Sequence, residues 1–417
     1  MRKRNADIRA DIKADTNKVN SDRKESVSLM EPTLISEGSR FRTELTDIAV
    51  ALAARSAGFR RSLPEGIVGA LADLVRSMNC YYSNLIEGHD THPIDIERAL
   101  NNDYSADPGK RSLQLEAKAH IEVQRWIDSG GLRGRATTRG GISEVHRRFG
   151  ELLPKELLWV EDPKSGERIK MVPGELRRRD VRVGRHIAIS PGALPRFLVR
   201  FEQAYGNLGR ADAILATAAA HHRLAWIHPF LDGNGRVARL MSHGMLLEAL
   251  DTGAVWSVAR GLARSVEDYK RGLAECDLPR RNDLDGRGNL SEEALARFTR
   301  FFLETCLDQI SFMEALVEPA RLRTRILRWA EEEVEVGSLP AKAAGVLEAL
   351  LYKGELSRGE VGAMLGITDR HARRIVAELM TKKVLISESS RAPLRLAFPA
   401  ALASRWMPGL FPEKIEN

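Results

Sequence analysis

Between His228 and Arg239 the chain reads HPFLDGNGRVAR, so one loop holds a histidine, an acid, an asparagine between two glycines, and two arginines. An imidazole with an unperturbed pKa of about 6.5 suits His228 to take up a proton at neutral pH. Gly233 and Gly235, with Asn234 between them, free the backbone where the next helix begins. Several N–H groups stay unpaired at that positive dipole end, which makes a nest for an anion. Arg236 and Arg239 are spaced to reach the same helix face, so both guanidinium groups can meet one phosphate chain. Asp232 at the lip offers the hard oxygen that suits Mg2+ bridging phosphate oxygens. The residue types describe phosphate held, metal placed and a proton acceptor alongside.

Helices must position this loop. The preceding one, through DAILATAAAHHRLAWI, has to stop near Ile227 because Pro229 pushes its neighbour out of the α region. The following one opens within DGNGRVARLM. Three- and four-residue periodicity dominates the rest, in Arg42 to Met78, PIDIERAL, LQLEAKAHIEVQRWI, ISEVHRRFGELL and the long LSEEALARFTRFFLETCLDQISFMEALVEPARLRTRILRWA, so the fold class is mainly α. The stretch VEDPKSGERIKMVPGELRRRDVRVGRHIAISPGALP breaks the pattern with Pro, Gly and short alternating segments, and reads as a β-hairpin flap set into a helical domain. EEEVEVGSLP, Glu331 to Pro340, reads as a linker. The expected organisation is a flexible charged tail over 1–40, an N-terminal helical region over 41–110, a core over 111–330, the linker over 331–340, a small domain over 341–400 and a C-terminal tail over 401–417.

That small domain has a short helix, a turn at Gly366, an N-cap at Thr368, a helix bearing Arg370, His371, Arg373 and Arg374, then the alternating LISESSRAPLRLAF. It resembles a winged helix-turn-helix, which implies DNA contact through those four residues. Such modules also serve protein contacts, and helix arginines are often a solvated face.

The 417 residues, 43% hydrophobic and 29% charged, suit an ordinary folded chain of two or three domains. The three cysteines, Cys80, Cys276 and Cys306, lie far apart and indicate neither a disulfide framework nor a zinc cluster, so a reducing cytoplasm is the expected location. No apolar run suggests a membrane span or a signal peptide. A net charge of +7 is compatible with DNA but does not select it.

The loop resembles the motif H-x-F-x-(D/E)-G-N-G-R-x-x-R of the Fic family, matching at His228, Phe230, Asp232, Gly233, Asn234, Gly235, Arg236 and Arg239. The resemblance covers most of Tyr82 to Met313, since VPGELRRRDVRVG is similar to the family's PGxxR segment and flap, and DYKRGL to its YYxxL, with Lys270 in place of the second tyrosine. It implies a Fic-type helical domain that moves AMP from ATP, with Mg2+, onto a Ser, Thr or Tyr hydroxyl of a target protein or of the chain itself. His228 would be the base and Asp232 the metal ligand. Gly233, Asn234, Gly235, Arg236, Arg239 and Tyr269 would contact ATP. The flap, through Val181, Val183, Gly184 and Ile187, would hold the target segment as an added strand.

SNLIEG, Ser83 to Gly88, resembles the family's inhibitory (S/T)-x-x-x-E-(G/N) helix end. It implies that Glu87 pairs with Arg239, with Ser83 and Gly88 completing the motif. Other readings stay open: a transcriptional regulator whose core only senses nucleotide, a Fic enzyme that transfers another group, or one that removes AMP. Gly235 argues against phosphate transfer, because the relatives that do it carry lysine there. A homodimer is compatible with the sequence. His89, Asp90 and His92 lack a third metal ligand at suitable spacing and read as surface residues near a turn. His221 and His222 point about 100° apart on their helix, so at least one of them is expected to pack against the loop.

Overall fold

Two helices buried on almost every side form the centre. They are α7 (Arg210–Ile227) and α8 (Asn234–Leu250) of the computed structural model, which describes residues 11–12, 20–162 and 166–411. In chain order the helices are α1 (Arg42–Arg61), α2 (Glu65–Ile86), α3 (Pro93–Leu100), α4 (Pro108–Asp128), α5 (Arg139–Glu151), α6 (Leu194–Tyr205), α7 (Arg210–Ile227) and α8 (Asn234–Leu250). They continue as α9 (Ala259–Arg264), α10 (Val266–Cys276), α11 (Glu292–Leu316), α12 (Pro319–Glu335), α13 (Ala343–Lys353), α14 (Glu360–Leu365), α15 (Asp369–Thr381) and α16 (Ala403–Trp406). The architecture is therefore mainly α. The α7–α8 pair is flanked by α1, α6 and α11 on the α7 side and by α4 and α5 on the α8 side. No described helix is long and apolar enough to cross a membrane.

The expected flap is present as β4 (Val181–Val183) and β5 (His186–Ile187), turning at Gly184 with φ +56°. β1 (Asp11–Ile12) lies antiparallel on the other edge of β4, placing Asp11 opposite Arg182 and Ile12 opposite Val181. A second hairpin, β2 (Trp159–Glu161) with β3 (Arg168–Lys170), precedes it. Beyond α12, the order α13, β6 (Glu355–Leu356), α14, α15, β7 (Leu385–Ile386), β8 (Leu394–Leu396) gives an antiparallel sheet in the order β6-β8-β7.

Three expected boundaries move. Of the tail expected over 1–40, residues 1–10 and 13–19 lie outside the described residues. Residues 20–40 are packed, with Met30 fully buried. Their charges are paired: Asp22 with Arg196, Arg23 with Asp180 and Glu31 with Arg200. The linker expected over 331–340 is helical through Glu335, because α12 has α13 to pack against. Of the C-terminal tail, 412–417 are not described and 401–411 pack inward. Trp406 lies edge-on to Trp329, and the Tyr82 hydroxyl donates to the Leu410 carbonyl at 2.9 Å. At the other end of α2, a Cβ on Gly66 would come within 2.1 Å of the Gly354 carbonyl oxygen, so the small domain approaches the N-terminus of α2 backbone to backbone.

Candidate active site

α7 ends at His228 in the left-handed region (φ +52°), where its N–H still closes onto the Leu224 carbonyl at 3.0 Å. The loop is then tied to itself. Asn234 Oδ1 accepts from the Phe230 N–H and Asn234 Nδ2 donates to the Phe230 carbonyl, both at 2.9 Å. Gly233 caps α8 at φ +79°, and Asp232 Oδ1 accepts from the Gly233 N–H at 2.7 Å while its side chain stays exposed. The first helical bond runs from Val237 N to Gly233 O at 3.0 Å. The N–H groups of Asn234, Gly235 and Arg236 therefore have no carbonyl partner in the helix and form an anion nest.

His228 Nδ1 lies 3.2 Å from the Ala225 carbonyl, which can only accept, so Nδ1 carries the proton and Nε2 keeps its lone pair. Burial, with the Arg177 guanidinium nearby, pushes its pKa down to about 3. The ring is thus neutral at physiological pH. It is a weak base until negative charge arrives beside it, and bound phosphates would raise its affinity for a proton.

Both loop arginines are buried against carboxylates. Arg239 pairs with Glu87 and donates from Nε to Ser83 Oγ at 2.8 Å and from Nη2 to the Ser83 carbonyl at 3.3 Å. The expected Glu87–Arg239 pair is therefore formed, at the C-cap of α2, with Gly88 at φ +82° turning the chain away. Burial alone would raise the Glu87 carboxyl, but Arg239 and Arg236 beside it hold it below the ordinary carboxylate range. The approach is close: a Cβ on Gly235 would come within 2.5 Å of Glu87 Oε1. Arg236 pairs with Glu116 of α4, and its Nη2 lies 3.2 Å from His89 Nδ1.

Two residues that sequence reasoning did not single out fix the loop to its surroundings. Arg177, in the PGELRRRD segment, is buried, and burial holds its guanidinium down to about 10, still charged at neutral pH. It donates to the carbonyls of His228 (2.7 Å), Arg179 (2.8 Å) and Ile189, bolting the flap to the loop. The ring of His146 on α5 stacks on Phe230 with centroids 3.9 Å apart. Its Nδ1 accepts from the Gly174 N–H at 2.8 Å and its Nε2 donates to the Asp232 carbonyl at 3.2 Å. Arg177 stood in a quoted motif and could have been found there. Nothing in the spacing of ISEVHRRFG distinguishes His146 from an ordinary helix residue.

Some expected contacts differ. Tyr269 is buried on α10, its hydroxyl 2.6 Å from His221 Nε2 and beside Arg239 of the loop. His221 Nδ1 in turn lies 2.9 Å from Ser242 Oγ of α8, making it the histidine of the adjacent pair that braces the loop's helices. His222 turns to Asp277 at 3.0 Å. In the flap, Val181 packs inward with Leu158, Met171, Ala188 and Leu231. Val183 is half-buried, and Gly184 and Ile187 are exposed. His89 was expected as a surface residue but is half-buried, with Nδ1 3.1 Å from Glu116 Oε1. On α15, Arg370, Arg373 and Arg374 are exposed, none of them in an ion pair among the described residues, and His371 is half-buried.

Residues 143–246 match the model of the Fic/DOC family. In sequence the chain is similar to the protein adenylyltransferase Fic of Drosophila erecta, 36% identical over 171 residues that cover 40% of this chain and 32% of that protein. It is similar also to the Drosophila sechellia protein of the same name, 37% identical over 171 residues, 40% and 32% of the two chains. The match thus spans about a third of the length of these curated relatives. In structure the chain is similar to a Fic family protein from Desulfovibrio desulfuricans (TM-score 0.45, 17% identity, 84% of this chain and 96% of the other). The corresponding figures for Fic-1 from C. elegans are 0.46, 16%, 67% and 74%.

Proposed function

We propose that this chain, which carries a Fic/DOC family domain over residues 143–246, is a restrained protein adenylyltransferase that moves AMP from ATP to a Ser, Thr or Tyr hydroxyl of a target protein or of itself. The carrying observation is the loop: a neutral His228 with Nε2 left as acceptor, directly before a helix start whose first N–H groups have no helical partner. ATP phosphates would lie on the Gly233–Asn234–Gly235 backbone, with Arg236 and Arg239 as counter-charges. The exposed Asp232 carboxylate fits Mg2+, which binds through one or two carboxylates plus substrate phosphates; when bound, the ion offsets charge on the phosphate oxygens. The target oxygen bonds to the α-phosphorus as the bond from that phosphorus to the β-phosphate bridging oxygen breaks. The hydroxyl proton passes to His228 Nε2, pyrophosphate leaves, and no enzyme-bound intermediate forms. Positioning and charge stabilisation supply the rate.

The names of the Drosophila relatives support this reading, as does the space at Gly235, where any side chain would meet Glu87. Incubation with ATP labelled separately at the α and γ positions tests it: protein-bound label is expected from α and none from γ. Label from γ would establish phosphate transfer, and label from neither would favour a nucleotide sensor or removal of AMP. The Glu87–Arg239 pair supports restraint of the basal rate, and three buried free cysteines fit a cytoplasmic location.

A second proposal concerns residues 343–396. The helix–strand–helix–helix–hairpin order supports a winged helix-turn-helix, with α15 presenting Arg370, His371, Arg373 and Arg374 to DNA phosphates. The intact protein should bind duplex DNA with an affinity that falls as salt rises. Replacing the three arginines with alanine should flatten the log–log salt slope by roughly three, about one for each phosphate no longer neutralised. Fluorescence anisotropy at several salt concentrations reads this out; absence of binding at low salt would leave the module a protein contact.

A further inference from the structure

Each loop arginine has its own buried acid, and the two acids are differently mounted. Glu87 sits at the C-cap of α2, where Gly88 gives the chain a hinge, and its side chain is 22% exposed. Glu116 is mid-helix on α4, with its side chain 8% exposed, and cannot withdraw without moving that helix. Arg236 lies against it, its guanidinium carbon 5.5 Å from the centroid of the Phe149 ring. His89 Nδ1 lies 3.1 Å from Glu116 Oε1 and 3.2 Å from Arg236 Nη2, and as one ring nitrogen it hydrogen-bonds one of them, donating to the carboxylate when protonated. Every hydrogen bond from the Arg236 side chain among the described residues leaves through Nη2, and Nε is buried with no partner. Nη1 makes no hydrogen bond among the described residues and is not among the buried unpartnered atoms, so in the first turn of the helix that forms the anion nest it is the donor that an incoming phosphate oxygen would complete.

We propose that Glu116 is the positioning residue for Arg236. It anchors Nη2 throughout the reaction cycle and thereby leaves Nη1, which makes no hydrogen bond among the described residues, for the polyphosphate, while His89 braces the anchor from the segment that carries Glu87. The two carboxylates then have opposite roles: Glu87 withholds Arg239 until the end of α2 moves, and Glu116 keeps Arg236 in place before and after. The shared segment gives a physical link, since Glu87 and His89 flank Gly88 and touch Arg239 and Arg236 respectively.

The inference rests on the loop as a polyphosphate cradle, and inorganic tripolyphosphate probes that without any transfer step. In a Glu87→Gly parent, calorimetry should show Glu116→Ala weakening tripolyphosphate binding tenfold or more. Glu116→Gln, which keeps an acceptor oxygen at the same place, should recover most of that loss. With Arg236→Ala already present, Glu116→Ala should cost no further affinity, and in labelling assays KM for ATP should rise more than kcat falls. If Glu116→Ala proves unfolded by circular dichroism, Glu116→Asp, which draws the carboxylate back by one methylene, replaces it in the same cycle. Equal losses with and without Arg236 would overturn the proposal in favour of a purely structural acid. Tighter binding on removal of Glu116 would overturn it in favour of a second inhibitory carboxylate. A parent that binds tripolyphosphate yet takes no α label sinks the proposed reaction alone, whereas one that binds no tripolyphosphate sinks both.

Discussion

His228→Ala is expected to lower AMP incorporation from α-labelled ATP by about 10²- to 10⁴-fold, the usual contribution of a general base, while ATP binding persists. The two effects separate because they use different atoms. In the proposed reaction, proton transfer uses the imidazole Nε2, whereas nucleotide binding uses the backbone N–H groups after Gly233 and the two arginines. Removing the ring also deletes one hydrogen bond to the Ala225 carbonyl, but Asn234 and the Arg177 bond to the residue 228 carbonyl still hold the loop. Labelling and calorimetry on the same preparation check this; unchanged labelling would remove His228 from the mechanism. Lost binding together with lost labelling would mean that the loop, rather than the base, had failed.

Glu87→Gly is expected to act in the opposite direction. In the wild type Arg239 is occupied by Glu87 and Ser83, so under the proposed function the arginine that would meet a terminal phosphate is withheld. The Glu87 carboxyl is held below its ordinary value of 4.5, so it stays ionised at neutral pH. The pair is lost only as acid brings the pH down through the folded-state pKa. Glycine removes the competing carboxylate and leaves Arg239 with its hydrogen bonds to Ser83. A partly buried arginine–carboxylate pair of this kind is coupled by a few kcal/mol, so self-modification and target modification should rise about ten- to a hundredfold. Arg239→Ala in the same background should cancel the gain. A Glu87→Gly protein with wild-type or lower incorporation would make SNLIEG a structural helix end, or would point to an acid that positions water for removal of AMP.

What the sequence alone determined lies close together along the chain. The loop from His228 to Arg239 is legible because a proline stop, two glycines and a helix start occupy consecutive positions, and local backbone rules convert them directly into a nest with a histidine before it. The mainly helical class is legible for the same reason, since the 3.6-residue period repeats within each segment. The Glu87–Arg239 pair joins positions 152 residues apart, and only the resemblance of SNLIEG to a known helix end could suggest it. Tertiary structure decided the rest. His146, Arg177 and Glu116 serve the site through ring stacking, through backbone carbonyls on other elements, and through an ion pair across 120 residues; none of these leaves a periodic trace. The packed segments 20–40 and 401–411 look like tails in the sequence because composition counts charges and short apolar runs without showing what they meet. In the fold, Met30 and Trp406 fill a core made by distant helices, and the charges around Asp22 and Glu31 find arginines of α6. Local sequence fixes what a backbone can do, whereas burial and partnership depend on which distant surfaces the fold brings into contact.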